Sequence, residues 1–208
     1  MKLSIENLLS CDGELYLYKG FYSKAIADQH FANVLGSLEW QHEKIYLYGR
    51  WVQVPRLMAW YGDAEAVYQY SRVVHQPKPW TPRLLEIRKD LEDFSAMSFN
   101  SVLANLYRDG TDSMGCHADN EKELGANPTI ASLSFGDSRI LRFKHQANRE
   151  HLDVLLEHGD LLWMSGAIQQ HWQHELPKTR KPKQARINLT FRKINPDWML
   201  FSKFEKAE

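Results

Sequence analysis

The segment most indicative of the fold is Arg186-Ile187-Asn188-Leu189-Thr190-Phe191-Arg192. Polar and apolar residues alternate along it, and successive side chains of a β-strand point to opposite faces. The pattern therefore predicts a strand with one apolar face, packed on a core, and one polar face. The polar face carries a guanidinium group at each end. Because arginine binds carboxylates through paired hydrogen bonds, this face suits a ligand with two carboxylates.

A second motif, His117-x-Asp119, lies upstream of that strand and supplies an imidazole and a carboxylate. A later histidine would complete the 2-His-1-carboxylate set that holds non-haem Fe(II). His174 is favoured over His171, because the chain between His174 and Arg186 allows a turn that returns the arginine strand beside the histidine strand. Together the two motifs predict an iron centre and a dicarboxylate co-substrate. The other candidates for the third ligand are His145, His151 and His158.

Length and composition indicate one domain, with room for a small lobe. The chain has 208 residues, of which 43% are hydrophobic, so a substantial core is expected. The 26 basic and 26 acidic residues balance, so net charge alone predicts no nucleic-acid partner. A local basic segment is either a phosphate-binding patch or a solvated loop. Its members are Lys178, Arg180, Lys181, Lys183, Arg186, Arg192 and Lys193.

The compartment is predicted from cysteines and from the amino terminus. Cys11 and Cys116 lie far apart and form no metal-binding pattern, which favours a reducing environment. The first residues are too acidic and their apolar run too short for a signal peptide. No apolar stretch approaches the roughly 20 residues of a membrane helix. We therefore expect a cytoplasmic protein, nucleoid-associated in a bacterium or nuclear in a eukaryote, with no membrane partner.

Periodicity predicts two helices followed by many strands. The helices are expected over residues 23–40 and from Thr81-Pro82 onward, and residues 44–71 are expected to form short strands and turns. This order indicates an α+β fold in which a β-sandwich or a jelly-roll core is flanked by N-terminal helices. We expect residues 1–98 to pack as one part on a catalytic core, residues 99–208, within one structural unit. The further predicted strands are 99–107, 129–135, 138–144, 151–156, 160–165, 170–176 and 185–192.

Two groups of residues on other strands are candidates for binding. Asn105 and Tyr107 alternate onto one face of an apolar strand, which indicates either a polar interior pocket or a half-exposed strand. Aromatic residues cluster in the segment 45–51, and Tyr68 and Tyr70 share a face of a later strand. Aromatic side chains beside cations stack on nucleic-acid bases, although most such clusters belong to a core.

These motifs resemble the AlkB family of Fe(II)/2-oxoglutarate-dependent nucleic-acid dealkylases, and the earlier ones are most similar to the double-strand DNA repair type. The resemblance covers residues 44–194. It implies a double-stranded β-helix (jelly-roll) core with a nucleotide-recognition lid. The motifs that carry it are Gly49-Arg50-Trp51, Val54-Pro55-Arg56, Trp60-Tyr61-Gly62-Asp63, Pro77-Lys78-Pro79-Trp80, Asn105-x-Tyr107-x-Asp109-Gly110, His117-x-Asp119, Ala131-Ser132-Leu133-Ser134-Phe135-Gly136, His174-x-Leu176-Pro177 and Arg186-x-Asn188-Leu189-Thr190-Phe191-Arg192.

The resemblance implies a role for each matched residue of the metal and co-substrate site. His117, Asp119 and His174 would bind Fe(II). Arg186 would pair with the distal carboxylate of 2-oxoglutarate, and Arg192 would lie near the carboxylate on the iron side. The residues that would add hydrogen bonds are Asn105, Tyr107 and Asn188.

The resemblance also implies how a damaged base is held. The flipped base would stack between His117 and Tyr70, with Tyr68 lining the pocket, and Tyr48 would fill the gap left in the duplex. Glu121 matches the family, but Asn120 replaces an expected acidic residue that helps to read the base, which leaves base preference open. The residues of the basic loop that would grip the phosphate backbone are Arg180 and Lys181.

The implied activity is oxidative demethylation of 1-methyladenine and 3-methylcytosine in DNA by a monomeric repair enzyme. Fe(II) would serve as the cofactor, and 2-oxoglutarate and dioxygen would be consumed. Succinate, carbon dioxide and formaldehyde would be released. The segment 144–149 is shorter than the loop that holds the opposite strand in the duplex type. The resemblance therefore leaves the preference between single- and double-stranded DNA open. The alternatives are an oxygenase that acts on RNA or protein and a nucleic-acid-binding protein with a silent iron site.

Overall fold

The computed structural model describes residues 6–47, 49–70 and 73–195. Within that part of the chain, no helix has the length and apolarity needed to cross a membrane. The helices are α1 (Lys24–Ser37), α2 (Pro82–Ser95) and the short α3 (Ile168–His171). The strands are β1 (Glu14–Tyr18), β2 (Gln41–Leu47), β3 (Arg50–Gly62), β4 (Tyr68–Tyr70), β5 (Val73–His75), β6 (Ser101–Tyr107), β7 (Met114–His117), β8 (Ile130–Gly136), β9 (Arg139–His145), β10 (His151–Leu156), β11 (Leu161–Ser165), β12 (Trp172–Leu176) and β13 (Arg186–Arg192).

Two antiparallel sheets form the core. The major sheet has the strand order β1-β11-β8-β13-β6-β3-β2, and the minor sheet has the order β10-β9-β12-β7. A third, small sheet pairs β4 with β5. β13 lies in the middle of the major sheet, between β8 and β6, so both of its edges are hydrogen-bonded. The arrangement confirms the predicted α+β class with a β-rich core.

The alternation predicted for β13 gives the major sheet two different faces. Ile187, Leu189 and Phe191 lie in a buried cluster with residues of both long helices. The opposite face turns toward the minor sheet, and a second buried cluster joins the two sheets. Polar residues that lie on this inner face are therefore enclosed between the sheets. Members of the second cluster come from the major sheet (Leu15, Ile130, Leu162, Met164) and the minor sheet (Leu141, Phe143, Val154, Trp172).

The two long helices cover the outer face because their apolar residues recur at helical spacing. In α2 the Thr81 side chain accepts a hydrogen bond from the Leu84 backbone N–H, and Pro82 occupies the first turn. Ser23 precedes α1 but makes no capping side-chain bond, and the helix ends at Ser37 rather than at residue 40. Both helices were predicted, with the end of the first placed too late.

Several features differ from the prediction. β1 and β7 were not expected, and the predicted strand 170–176 begins with the helical turn α3. The expectation that the arginine strand lies beside the histidine strand is wrong, since β13 belongs to the major sheet and β12 to the minor sheet. β1 and β3 are hydrogen-bonded into the major sheet, so residues on both sides of position 98 share one sheet. The division of the chain at that position stays a prediction.

Candidate metal centre and active site

The three predicted iron ligands come together at the inner face of the minor sheet. His117 ends β7 and is the direct cross-strand partner of His174 in β12, with ring centroids 4.3 Å apart. Asp119 follows β7. One ligand atom from each of the three residues lies within 4.8 Å of those of the other two. Two imidazoles and one carboxylate at this separation match the ligand set of non-haem Fe(II).

Hydrogen bonds orient His117 for metal binding. Its Nδ1 lies 2.9 Å from the Gly115 carbonyl oxygen. Because a carbonyl oxygen only accepts, Nδ1 carries the proton and Nε2 keeps its lone pair. Nε2 lies 3.8 Å from Asp119 Oδ1, on the side where the ligand atoms converge. The backbone therefore selects the tautomer that a metal ion needs.

Two hydrogen bonds hold Asp119, one at its carboxylate and one at its backbone. Arg192 Nη2 donates a hydrogen bond to Asp119 Oδ2 over 2.8 Å, and the Asp119 backbone N–H donates to Gln169 Oε1 over 2.9 Å. Burial alone would raise the pKa of Asp119, but the positive charge of Arg192 and the nearby His174 lower that pKa to about 2. The side chain is consequently an anion at neutral pH, with Oδ1 directed toward His117.

The second predicted histidine ligand, His174, is buried and neutral. Burial, followed by the neighbouring His117, lowers the pKa of His174 to about 3, so its ring does not take up a proton near neutral pH. The alternative ligand, His171, lies in α3, where its ring stacks on His145 with centroids 6.1 Å apart. The structure thus brings His174, and not His171, to His117 and Asp119.

A polar row on the inner face of the major sheet continues from the metal centre. Arg186 Nη2 donates to Ser134 Oγ over 2.9 Å. Asn188 Nδ2 donates to Ser132 Oγ over 2.8 Å, and Thr190 Oγ1 donates to Asn188 Oδ1 over 2.9 Å. These residues alternate along β13 and its neighbour β8. Their bonds fix the side chains in an enclosed region where every unpaired polar atom is costly.

Buried hydrogen-bond donors without a partner indicate whether a dicarboxylate could bind along this polar row. Among the described residues, the buried atoms Asn105 Nδ2 and Arg186 Nε have no hydrogen-bond partner, although Arg56 Nε donates to the other amide atom, Asn105 Oδ1. Leaving a buried donor unpaired costs about 1–3 kcal/mol. Burial lowers the pKa of Arg186 to about 10, so the guanidinium still carries its charge at neutral pH. A buried cation and a free amide donor fit a carboxylate-bearing co-substrate.

A cavity of about 580 Å³ opens directly onto the predicted metal ligands. His117, Asp119 and Arg192 form part of its wall. This volume lies in the range of small-molecule and cofactor sites. Other residues of the wall include Val52, Val54, Met58 and Trp60 from β3, Glu43 from β2, and Glu121.

The remaining predicted residues are placed as follows. Glu121 lines the cavity, whereas Asn120 is exposed and is not part of its wall. Arg180 and Lys181 are exposed in the loop between β12 and β13. Tyr48 lies outside the described residues, and so do the side chains of Tyr68 and Tyr70, whose backbones form β4.

Sequence reasoning missed several residues that touch the site. Gln169, Ser132, Ser134 and Arg56 have the contacts given above, and none of them was assigned a role. The two serines could have been found, because they alternate with apolar residues in β8 as the polar residues of β13 do. Arg139 carried a similar signal, a cation in phase with Leu141 and Phe143 of β9. Gln169 had no such pattern, since it lies in the single helical turn α3.

A second group of possible ligands, Cys11, Asp12 and His145, also has its atoms within 4.8 Å. His145 Nε2 lies 3.0 Å from Asp12 Oδ2, while its Nδ1 accepts hydrogen bonds from the backbone N–H groups of Ala147 and Asn148. The neutral ring therefore carries its proton on Nε2. A metal ion at Nε2 would move that proton to Nδ1, where two donors already point. This group joins the segment before β1 to the β9–β10 hairpin.

Comparison with known proteins agrees with this geometry. The family model described as the 2OG-Fe(II) oxygenase superfamily matches residues 14–192. The mouse protein named DNA oxidative demethylase ALKBH2 is 39% identical over 90% of this chain and 81% of its own length. The bovine alpha-ketoglutarate-dependent dioxygenase alkB homolog 3 is 40% identical over 87% of this chain and 66% of its own length. The chain belongs to the AlkB family of 2OG-Fe(II) oxygenases.

A solved structure supports the fold of this AlkB-family chain. The structure titled "The structure of OsALKBH1" aligns with a TM-score of 0.64 and 20% sequence identity, over 89% of this chain and 99% of that one. The expected jelly-roll core is thereby confirmed. Membership of an oxygenase family confirms the predicted enzyme class, with Fe(II) as cofactor and 2-oxoglutarate and dioxygen as co-substrates. The triad and the polar row with its unpaired donors fit this set of groups.

Proposed function

We propose that this AlkB-family oxygenase demethylates N-alkylated bases in DNA, with 1-methyladenine and 3-methylcytosine as substrates. The observation that carries the proposal is the cavity of about 580 Å³ that ends at His117 and Asp119. A methylated base in this cavity would present its methyl group to the metal centre. The relatives named as DNA oxidative demethylases support the same substrate class.

The residues of the metal centre each have a separate task in this proposal. His117, Asp119 and His174 would hold Fe(II). When bound, Fe(II), 2-oxoglutarate and dioxygen supply the oxidation of the N-methyl carbon, from which succinate, carbon dioxide, formaldehyde and the repaired base result. Arg192 keeps Asp119 ionised and directs one carboxylate oxygen at the metal site. Arg186, Asn105, Tyr107 and Asn188 would bind and orient the co-substrate.

The wall of the cavity is suited to a cationic, flat ligand. Val52, Val54 and Trp60 offer apolar surface to the faces of a base. Glu43 and Glu121 add carboxylates. Because methylation at N1 of adenine or N3 of cytosine leaves the base positively charged, carboxylates in a low-dielectric cavity favour the damaged base over the normal one.

The contacts to the nucleic-acid strand belong to the same proposal. A base in a duplex must leave the stack to enter this cavity, and methylation that blocks pairing lowers the cost of a few kcal/mol. Tyr48 would fill the gap, Tyr68 and Tyr70 would contact the flipped base, and Arg180 and Lys181 would bind backbone phosphates. The protein would act as a monomer.

The experiment is mass spectrometry of oligonucleotides that carry one methylated base, incubated with protein, Fe(II), 2-oxoglutarate, ascorbate and air. DNA single strands, DNA duplexes and RNA strands of the same sequence are compared. Loss of one methylene mass that requires 2-oxoglutarate is expected for DNA, with the His174→Ala variant as the inactive control. If succinate forms while every oligonucleotide keeps its mass, the oxygenase acts on another substrate and the proposal is wrong.

A further inference from the structure

Arg139 is a buried cation whose hydrogen bonds, among the described residues, reach neither the metal ligands nor the polar row. It begins β9 directly after the turn from the major to the minor sheet, and it is 4% exposed. Its side chain shares the inward face with Leu141 and Phe143, whereas Arg142 points outward. Burying a guanidinium is costly unless its donors are paired, so its contacts identify what it stabilises.

The guanidinium of Arg139 joins two loops at their backbones. Nη1 donates to the Asp109 carbonyl oxygen over 3.0 Å. Nη2 donates to the carbonyl oxygens of Asp112 over 3.0 Å and Pro177 over 2.7 Å. The first two carbonyls belong to the loop that leads into β7 and His117, and the third follows β12, which carries His174. One side chain therefore ties together the segments on which both histidine ligands lie.

Arg139 also lies near Arg186, at the end of the polar row that is expected to bind the co-substrate. Its guanidinium carbon lies 5.9 Å from the ring centroid of Tyr107, and that of Arg186 lies 5.3 Å from the same ring. Tyr107 is the direct cross-strand partner of Arg186. Among the hydrogen bonds of the described residues, Arg139 makes none to a carboxylate. Two cations thus share one phenol ring, and a dianionic ligand would relieve the repulsion between them.

We propose that Arg139 is a positioning residue for 2-oxoglutarate, which acts through Tyr107 and Arg186 on the distal carboxylate. It orders the two loops and places a second buried positive charge behind Arg186. The inference rests on the proposed assignment of Arg186 to that carboxylate, and it is independent of which nucleic acid is demethylated.

The test is a calorimetric titration of 2-oxoglutarate into Mn(II)-loaded protein, which needs no turnover and no nucleic acid. Arg139→Met removes the charge and the three hydrogen bonds. It should weaken 2-oxoglutarate binding by about 10- to 100-fold, the range found for residues that orient metal ligands. Arg139→Lys keeps a positive charge but lacks the planar guanidinium. Its Kd for 2-oxoglutarate should lie between those of Arg139→Met and the unaltered protein. The matched control is Arg142→Met, an outward arginine of the same strand that pairs with Asp153, and it should leave the Kd for 2-oxoglutarate unchanged.

A keto acid without the distal carboxylate separates positioning from a merely structural role. With 2-oxobutyrate as the probe, Arg139→Met should change the Kd far less than it does with 2-oxoglutarate. Equal weakening of both keto acids, or a lowered melting temperature with an unaltered Kd for 2-oxoglutarate, would overturn the proposal. If Arg139→Met does not fold, the same comparison of the two keto acids in Arg139→Lys decides.

Arg186→Met distinguishes failure of this inference from failure of the site assignment. Loss of 2-oxoglutarate binding in Arg186→Met, together with an unaltered Kd in Arg139→Met, would overturn the role of Arg139 alone. Unaltered binding in Arg186→Met would overturn the assignment of the distal carboxylate and the role of Arg139 with it.

Discussion

Arg192 Nη2 donates a hydrogen bond to Asp119 Oδ2 over 2.8 Å, and both side chains are almost fully enclosed. The bond joins the end of β13 in the major sheet to the segment after β7 in the minor sheet. The two carboxylate oxygens therefore have different neighbours: Oδ2 accepts the hydrogen bond from the guanidinium, and Oδ1 lies toward His117. The arginine at the end of the alternating stretch therefore orients the carboxylate predicted to bind the metal.

Replacement of that guanidinium should weaken metal binding. In Arg192→Gln the positive charge is lost, so the pKa of Asp119 rises and the carboxylate becomes a poorer ligand. We expect about 10- to 100-fold weaker Mn(II) binding, measured by calorimetry. Lys193→Gln is the matched control, because Lys193 is the exposed neighbour that contacts Ser98 Oγ. Equal Mn(II) affinity in Arg192→Gln and the unaltered protein would contradict the role given to Arg192.

Replacement of His174 and replacement of His171 should have different effects on activity. His174→Ala removes a ligand at the centre of the triad and should abolish 2-oxoglutarate-dependent succinate formation. His171→Ala leaves the triad intact and should retain activity, since its ring contacts His145 instead. Succinate release measured at saturating Fe(II) gives the result. The opposite ranking of the two variants would mean that the ligand set is wrong.

Tyr48 should matter more for duplex DNA than for single strands. Stacking of an aromatic ring on a base is worth about 1–3 kcal/mol, which is comparable with the cost of flipping. Tyr48→Ala should therefore reduce kcat/KM for a methylated duplex by roughly 5- to 100-fold while the single strand is much less affected. Tyr48→Phe keeps the ring and serves as the control. Equal losses on both substrates would rule out a wedge.

His30 should make the free energy of unfolding depend on pH. Its ring is buried against Tyr22 and Phe135, and among the described residues neither ring nitrogen has a hydrogen-bond partner. Burial, followed by the positive charge of Arg83, lowers the pKa of His30 from its ordinary value of 6.5. As the pH falls below that value, the unfolded chain takes up the proton first, so stability is present above it and is lost below it.

The matching measurement is denaturant unfolding at several pH values in His30→Phe and in the unaltered protein. The difference between the two free energies of unfolding should change by up to about 1.4 kcal/mol per pH unit below about pH 6.5, in favour of the variant. Parallel pH profiles for His30→Phe and the unaltered protein would refute the prediction.

The sequence alone was sufficient for features that a local pattern encodes. The alternation of residues 186–192 predicted which side chains of β13 enter the core, because side-chain direction in a strand has a period of two. His117-x-Asp119 placed two of the three ligands near each other for the same local reason. The cap and the proline at Thr81-Pro82 predicted the start of α2.

How these elements meet depends on contacts between segments that are distant in the chain. Whether His171 or His174 completes the triad depends on which of the two histidines pairs with His117 of β7, and this pairing joins segments far apart in the chain. The same holds for Arg139, whose three carbonyl partners lie in two separate loops. Backbone carbonyls are present at every residue, so no sequence pattern marks those that a buried guanidinium will reach. Residue types and local periodicity can be read directly from the sequence, whereas the contacts between distant segments form only when the two sheets pack face to face.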